Sequence, residues 1–328
     1  MTGQLITVQE LSKTYKVMQR GEGLSASLKS LFHRTYVNIP AVHDISFSIN
    51  AGEMVGFIGP NGAGKTTTLK MLAGLLYPTS GKATVSGFIP WERNNAFLRT
   101  ISMVLGNKSQ MLWDIPPLDT FRVLGEIYQV PRKQFDQTLE ELVNLLEMKE
   151  ILFKPVRNLS LGERMKCELV AGLLHRPKVM FLDEPTLGLD ISMQNRLREF
   201  LKAYNSLNGA TIILTSHYMA DVTALCPRVI LIHQGRLLYD GELSTLSKQL
   251  APFKIIHFTV SDGQDEINLP PGVDVLPQED ERITWRTNRK DAPAVTSHLL
   301  QNLSLADLTV EDPPIEAVID QIYSEGGL

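Results

Sequence analysis

The stretch MVGFIGPNGAGKTTTLKMLAGLL, residues 54–76, joins a short apolar run to a helical run through the loop GPNGAGKTT, residues 59–67. Glycines let such a loop curl until its N–H groups face a phosphate, and the helix that follows points its positive end at the same place. Lys65 is expected to neutralise phosphate charge during catalysis, and Thr66 to bind Mg²⁺. The expected nucleotide contacts of the loop are Gly59, Pro60, Asn61, Gly62, Ala63, Gly64, Lys65, Thr66 and Thr67.

A second apolar run, VMFLDE at residues 179–184, ends in two adjacent carboxylates. Successive side chains of a strand point to opposite faces, so Asp183 and Glu184 point in different directions. Phosphoryl transfer depends mainly on positioning and charge neutralisation. Asp183 is therefore expected to hold Mg²⁺ through a bound water, and Glu184 to orient and deprotonate the attacking water.

Two further stretches suit the binding of a phosphate. NLSLGERMKCELVAGLLHRP, residues 158–177, begins with a potential N-cap at Ser160, followed by Gly162 and a long amphipathic helix. A helix start with a free hydroxyl and unpaired N–H groups is an anion site. Downstream, TIILTSH places His217 at the end of a strand, where its side chain could donate a hydrogen bond to a γ-phosphate.

The motifs GPNGAGKTT, LSLGE, VMFLDEPTLGLD and TSH, in that order, resemble the Walker A loop, signature, Walker B strand with D-loop, and H-loop of ABC ATPases. The likeness spans about residues 5–245. It implies that ATP and Mg²⁺ bind here, and that two copies of the chain form a head-to-tail dimer with the nucleotides between them. In that dimer Ser160, Gly162 and Glu163 would contact the nucleotide of the second copy, and Asp190 would link the two sites.

The chain departs from the commonest signature, LSGGQ, at Leu161 and Glu163. The Q-loop residue, which the resemblance assigns to catalysis and to sensing Mg²⁺, is either Asn107 or Gln110, with Gln110 slightly favoured because it is a glutamine. For stacking on adenine the resemblance offers Tyr15. The alternative for Tyr15 is an ordinary packed residue of a strand.

The chain is expected to fold as two domains. Residues 1–247 alternate short apolar runs with helical patterns, which indicates an α/β fold with a buried, largely parallel sheet. The resemblance implies a P-loop NTPase of the ABC ATPase type, with a RecA-like core, an antiparallel β subdomain and a helical subdomain at about residues 108–175. Residues 252–328 have the pattern of a small acidic α+β domain, for which a ferredoxin-like arrangement is one candidate.

Charge and hydropathy limit the location and the partners. From Ala251 onward five Lys and Arg stand against fourteen Asp and Glu. An acidic surface of this kind repels phosphate backbones, so no nucleic-acid partner is expected. The sequence contains no uninterrupted run of about 18 apolar residues and no secretory signal. We therefore expect a cytoplasmic protein that reaches the membrane through separate permease subunits.

The wording LSLGERMKCEL, with GNKSQMLWDIP before it, resembles the ABC-2-type exporter branch in particular. The expected function is thus an ATP-hydrolysing exporter subunit. The alternatives are the ATPase of a polysaccharide or glycolipid exporter and an ABC ATPase that takes no part in transport. A basic insertion at about residues 16–36 is expected to form a short helix, packed either on its own domain or near the membrane surface.

Overall fold

A computed structural model describes the chain over residues 3–18, 36–106, 108–216, 218–250, 253–261, 268–277 and 282–324. Asn107, His217 and most of the basic insertion therefore lie outside the described residues. Contacts divide the chain into two compact units, Met1–Asp240 and Gly241–Leu328.

The first unit combines two sheets with seven helices in its described part. Its strands are β1 (Gln4–Met18), β2 (Tyr36–Asn50), β3 (Met54–Ile58), β4 (Ser80–Val85), β5 (Ile101–Leu105), β6 (Val179–Asp183), β7 (Thr211–Thr215), β8 (Arg228–His233) and β9 (Arg236–Glu242). Its helices are α1 (Lys65–Leu72), α2 (Asn95–Leu98), α3 (Pro117–Ile127), α4 (Arg132–Leu145), α5 (Leu161–Leu173), α6 (Ile191–Asn208) and α7 (Met219–Leu225). Over the described ranges, no helix is both long and apolar enough to cross a membrane.

The central sheet has the strand order β5-β6-β7-β3-β8-β9. Strands β5, β6, β7, β3 and β8 run parallel. Every residue of β3, β6 and β7 is buried, which explains why these strands are nearly continuous apolar runs. Because parallel strands end at the same edge, the residues that follow β3, β6 and β7 meet there. The predicted parallel sheet is confirmed.

A second sheet packs on the same core. Its order is β2-β1-β4, with both pairings antiparallel, as the alternating pattern of its sequence predicted. Its inward side chains share one apolar cluster with the first residues of the central sheet and with α1. That cluster includes Ile6, Val8, Leu11, Ile45, Phe47, Ile49, Val55, Phe57, Leu69 and Leu72. Through this cluster, the second sheet packs against the elements on either side of the loop at residues 59–67, which are β3 and α1.

Helices α3, α4 and α5 fall within residues 108–175, where the helical subdomain was expected. The end of this region is tied to the central sheet through His175. Its ring stacks on Tyr128 with centroids 3.9 Å apart, and its Nε2 lies 2.9 Å from the carbonyl oxygen of Ile101. Burial lowers the pKa of His175, so the ring is held as a neutral packing group.

The second unit contains α8 (Leu243–Leu250), β10 (Phe253–Val260), β11 (Val273–Val275), β12 (Ile283–Asn288), α9 (Ala292–Asn302), β13 (Leu305–Glu311) and α10 (Ile315–Ser324). Its strands form an antiparallel sheet of order β11-β12-β10-β13. The first strand thus lies between the third and the fourth, as in the ferredoxin-like fold. That fold also has a helix after its first strand, and the described residues between β10 and β11 contain none.

The two units separate at Asp240 and Gly241, a few residues before the boundary that the sequence suggested between residues 247 and 252. The difference concerns α8. This helix contacts α10, the last helix of the chain, and so belongs with the second unit. The core of that unit is small and centres on Trp285, which is 1% exposed. Its ring contacts that of Phe258 edge-on, with the ring centroids 4.9 Å apart.

Trp285→Ala should lower the free energy of unfolding of the second unit by about 3–5 kcal/mol, because it removes the largest side chain of a small core. The first unit should keep its stability and its nucleotide affinity. Urea unfolding, with separate probes for the two units, measures both effects. The matched control is Trp113→Ala in the first unit, where the side chain is half exposed. If the Trp285 variant lost nucleotide affinity together with the stability of the second unit, the division into two units would be contradicted.

Candidate active site

The loop at residues 59–67 curls tightly between β3 and α1. Gly64 has a φ of 107°, a value that residues with a Cβ rarely adopt. A Cβ on Gly64 would lie 2.5 Å from the carbonyl oxygen of Ala41, and one on Gly59 would lie 2.2 Å from that of Ile232. Neither contact can be relieved by rotating a side chain. The loop therefore keeps its curled path only with glycine at both positions.

Lys65 is the first residue of α1 and is 5% exposed. Its Nζ donates to the carbonyl oxygens of Gly59 at 2.5 Å and Pro60 at 3.1 Å, which folds the side chain back over the loop. Burial lowers the pKa of Lys65, and the nearby charges of Glu184 and Asp183 oppose that change. The ammonium is thus enclosed within the curl of the loop, where a phosphate would meet it.

Asp183, at the end of β6, is held by two hydroxyl groups. Thr66 Oγ1 donates to it at 2.9 Å, and Thr215 Oγ1, from the end of β7, donates at 2.7 Å. A carboxylate beside a threonine hydroxyl offers the oxygen ligands that Mg²⁺ prefers, with room left for phosphate oxygens and waters. The residues present therefore fit the metal that the sequence predicted at Thr66 and Asp183.

Glu184 turns the chain sharply as it leaves β6. Its φ is 55°, an uncommon value for a residue with a long side chain. The turn is fixed because Glu184 N–H donates to both the carbonyl oxygen and the hydroxyl of Thr215, at 3.0 and 3.1 Å. Strain of this kind persists where the surrounding structure enforces it, often at functional sites. The turn ends β6 directly after Asp183 and so places the two acidic residues on either side of a sharp change in chain direction.

Ser160 is the N-cap of α5, as predicted, and forms a capping box with Glu163. Ser160 Oγ accepts a hydrogen bond from Glu163 N–H at 3.2 Å, and the Glu163 carboxylate accepts one from Ser160 N–H at 2.8 Å. The hydroxyl is therefore not free in the way that the sequence suggested, although its hydrogen can still be donated. The Glu163 carboxylate serves its own helix here, while its assignment to the nucleotide of a second copy stays a prediction.

Two signature residues, Leu161, which departs from the common pattern, and Gly162, which matches it, pack against the segment after Glu184. A Cβ on Gly188 would lie 3.0 Å from Leu161 Cδ2, and one on Gly162 would lie 3.1 Å from Met193 Cε. Asp190, the predicted D-loop residue, is the N-cap of α6 and accepts from Met193 N–H at 2.9 Å. The signature and the D-loop of one chain are thus in direct contact.

Tyr15, the predicted adenine contact, lies beside the phosphate-binding loop. Its hydroxyl is 3.4 Å from Thr67 Oγ1, and Lys13 Nζ lies 5.5 Å from the centre of its ring. The side chain is partly exposed. This position is compatible with stacking, which stays a prediction.

Gln110 has no described contact with Thr66 or Asp183, and its role at the metal stays a prediction. Its backbone N–H donates to both carboxylate oxygens of Glu168, at 3.1 and 3.2 Å, and its side chain also bonds to Glu168. The contacts described for Gln110 are therefore with α5. The other candidate for the Q-loop, Asn107, and the predicted γ-phosphate donor, His217, both lie outside the described residues.

Two residues of the site were not identified from the sequence. The sequence signal for Thr215 was a hydroxyl residue at the end of the apolar run TIILT. In the structure this residue lies directly beside the acidic end of β6. Glu168 is a carboxyl group 5% exposed on the buried side of α5. Its signal was an acid within the otherwise small and apolar run from Cys167 to Leu174.

Comparison with known proteins places this geometry in a family. A profile described as ABC transporter matches residues 42–187, and one described as EvrA-like ABC transporter, C-terminal domain, matches residues 252–311. The ABC transporter ATP-binding protein NatA of Bacillus subtilis is 36% identical over 208 residues, which make up 63% of this chain and 84% of NatA. The chain belongs to the ABC transporter ATP-binding proteins.

Other relatives of this ABC ATPase have more specific names. The linearmycin resistance ATP-binding protein LnrL of Bacillus subtilis is 32% identical over 231 residues, 70% of this chain and 73% of LnrL. The probable multidrug ABC transporter ATP-binding protein YbhF of Escherichia coli is 30% identical over 220 residues, 66% of this chain and 37% of YbhF.

Two solved structures share the fold of this ABC ATPase. An ATP-binding subunit of an ABC transporter is similar with a TM-score of 0.62 and 24% identity, over 75% of this chain and 92% of that one. The ATP-binding cassette MJ0796, solved as a dimer in a post-hydrolysis state with ADP and Pi, gives a TM-score of 0.60 and 20% identity, over 72% and 98% of the chains. The predicted P-loop fold of the ABC type is thereby confirmed.

Lys65→Ala should weaken ATP binding by about tenfold to a hundredfold, because a charge-assisted contact with the phosphates is lost. Titration with a fluorescent ATP analogue measures the affinity. Lys70→Ala is the matched control, since Lys70 lies in the last turn of the same helix, away from the loop. Unchanged affinity in the Lys65 variant would contradict the role of this ammonium.

Proposed function

We propose that this ABC ATPase is the motor subunit of an exporter and drives separate membrane-spanning permeases by ATP hydrolysis. The observation that carries the proposal is the meeting of Lys65, Thr66, Asp183 and Glu184 at one edge of the central sheet. The site contains an ammonium within a curled loop, a hydroxyl beside a carboxylate, and a second acidic residue at a strained backbone turn.

The residues divide the chemistry of hydrolysis among them. Lys65 and the loop N–H groups would hold the β- and γ-phosphates. Thr66 and Asp183 would hold Mg²⁺, which would supply charge neutralisation on these phosphates. Glu184 would orient a water in line with the γ-phosphate and take its proton as the water oxygen bonds to the γ-phosphorus. The bond from that phosphorus to the β–γ bridging oxygen breaks in the same step, and ADP is the leaving group. His217 would donate a hydrogen bond to the same phosphate. Gln110 or Asn107 would sense the bound metal.

The working unit in this proposal is a head-to-tail dimer of the chain. Ser160 and Gly162 stand at the exposed start of α5, where the helix dipole favours an anion. In the dimer this helix end covers the γ-phosphate bound at the Lys65 loop of the second copy. The dimeric state of the MJ0796 structure, solved with ADP and Pi, supports the arrangement.

An exposed apolar cluster on the helical region suits a permease. Leu112, Trp113 and Phe153 are 49%, 50% and 71% exposed. Their loops are adjacent, because Arg157 N–H donates to the Trp113 carbonyl oxygen at 3.0 Å and Leu118 N–H to that of Leu152 at 3.3 Å. Exposed apolar groups that lie together mark protein contacts. This docking patch, Leu112 with Trp113 and Phe153, would hold the chain at the cytoplasmic face of the membrane.

The names of two relatives favour one class of exporter. LnrL is named for linearmycin resistance and YbhF for multidrug transport, which supports export of drug-like molecules. A polysaccharide or glycolipid exporter was suggested by the basic insertion at residues 16–36, which lies mostly outside the described residues.

Glu184→Gln should abolish steady-state hydrolysis while ATP still binds, because an amide cannot take a proton from water. Turnover should fall by about a hundredfold or more, and ATP with Mg²⁺ should convert the variant to a stable dimer. Phosphate release and size-exclusion chromatography give the two readouts. The control is Glu147→Gln, since that exposed carboxylate pairs with Arg196 on the surface. Normal turnover in the Glu184 variant would remove this residue from the proposed role.

Replacing Trp113 and Phe153 by Ala should release the chain from the permeases while leaving its own hydrolysis intact, because neither side chain touches the nucleotide site. The measurement is the share of the chain that sediments with membranes when it is produced together with the permease genes beside its own. Leu207→Ala, an equally exposed apolar residue on α6, should have no effect. Full membrane association of the double variant would contradict the docking patch.

A further inference from the structure

The segment between β5 and α3 begins at the metal-binding end of β6. Leu105, the last residue of β5, is paired with Asp183, and Gly106 N–H donates to the Asp183 carbonyl oxygen at 2.9 Å. A Cβ on Gly106 would lie 2.3 Å from the carbonyl oxygen of Glu184. The start of this segment is therefore packed tightly against the backbone of both site carboxylates, and displacement of either one is passed to it.

The same segment is bonded a few residues later to α5. Ser109 Oγ donates to Glu168 Oε1, and Gln110 N–H donates to both oxygens of the same carboxylate. Met111 N–H donates to Ser109 Oγ at 3.1 Å, which fixes the hydroxyl in place. Glu168 thus accepts every hydrogen bond described between this segment and α5, and it does so through one buried side chain.

A carboxyl group buried at this position lowers the stability of the fold, so its presence indicates a specific role. Within the described residues Glu168 has no basic partner, and its hydrogen bonds come only from neutral groups. Burial raises the pKa of Glu168, and the bonds from Ser109 and Gln110 act in the opposite direction. A buried carboxyl group with neutral partners contributes less to stability than an apolar side chain of similar volume. What it adds is directional bonding between two elements.

Helix α5 carries Glu168 and Ser160 on one rigid body. Glu168 lies eight positions after Ser160, so the two residues are about 12 Å apart along the helix axis at 1.5 Å per residue. Helix α5 is also buried along most of its length. A shift of Ser109 and Gln110 would therefore move the exposed start of the helix, with Ser160 and Gly162, instead of being absorbed by a loop.

We propose that Glu168 is a positioning residue through which the state of one nucleotide site sets the position of the α5 start that completes the other site. The inference rests on the proposed dimer, in which Asp183 and Glu184 of a chain serve its own nucleotide and Ser160 serves that of the second copy. Through Ser109 and Gln110 the bridge from Asp183 to α5 then joins two sites that bind different ATP molecules.

The test uses Glu168→Leu in the Glu184→Gln background, where ATP is not consumed. Leucine fills the same buried space but accepts no hydrogen bond. The ATP concentration that gives half-maximal dimer should rise by about tenfold or more, which corresponds to the loss of one to two charge-assisted bonds. Affinity for ADP, measured on the monomer, should change by less than about twofold, because Glu168 has no described contact with residues 59–67, with Asp183 or with Glu184.

Two companion variants separate positioning from packing. Glu168→Gln should dimerise within about threefold of the background, since its amide oxygen can accept from Gln110 and its amide nitrogen can donate to Ser109. Thr138→Val removes another buried hydrogen bond of the helical region, to Arg176, without touching residues 106–111. It should leave dimerisation unchanged.

The outcomes are separable. Unchanged dimerisation in the Glu168→Leu variant, or an equal defect in the Thr138→Val variant, would overturn the inference while leaving the motor function intact. Failure of the Glu184→Gln background to bind ATP or to dimerise at all would instead count against the proposed function.

Discussion

The Asp183 carboxylate, held by the hydroxyls of Thr66 and Thr215, is the contact on which the rest of the site depends. It joins the start of α1, the end of β6 and the end of β7 at one point. A buried carboxylate left without these bonds would be strongly unfavourable, so all three elements must arrive in register. Parallel pairing of β6 with β7, residue by residue up to Asp183 and Thr215, provides that register. The curled loop leads directly to Thr66, and the strained turn at Glu184 follows directly after Asp183, so both adjoin this contact.

In the proposed dimer, each chain contributes residues to two different nucleotide sites. The Lys65 loop lies at the edge of the central sheet, whereas the Ser160 helix start belongs to the helical region. Two sets of contacts connect the loop edge with the helix start. One runs through Ser109 and Gln110 to Glu168. The other is the packing of Leu161 on Gly188 and of Gly162 on Met193. Leu161, which departs from the common signature, is therefore a packing residue within its own chain.

Local sequence predicted the parts of the site that depend on chain-local geometry. The loop at residues 59–67, the strand before Asp183 and the cap at Ser160 each follow from residues close together in the chain, so pattern and spacing were sufficient. Contacts between distant segments could not be predicted. The Glu168 bonds to Ser109 and Gln110 are not visible until β5 lies beside β6. The capping box of Glu163 is local as well, since Ser160 and Glu163 have the spacing of that motif, but only the cap at Ser160 was predicted. Helix α8 was not assigned to the second unit because its partner, α10, lies at the far end of the chain.

The most direct measurement of the central claim is a crystal structure of the chain with ATP and Mg²⁺. The account predicts a triphosphate within the curl of residues 59–67, with Lys65 Nζ on its β- and γ-oxygens and the metal on Thr66 Oγ1. Asp183 should then face a water on the metal, its direct bond to Thr66 replaced. A nucleotide bound elsewhere, or a metal without Thr66 and Asp183 around it, would contradict the account.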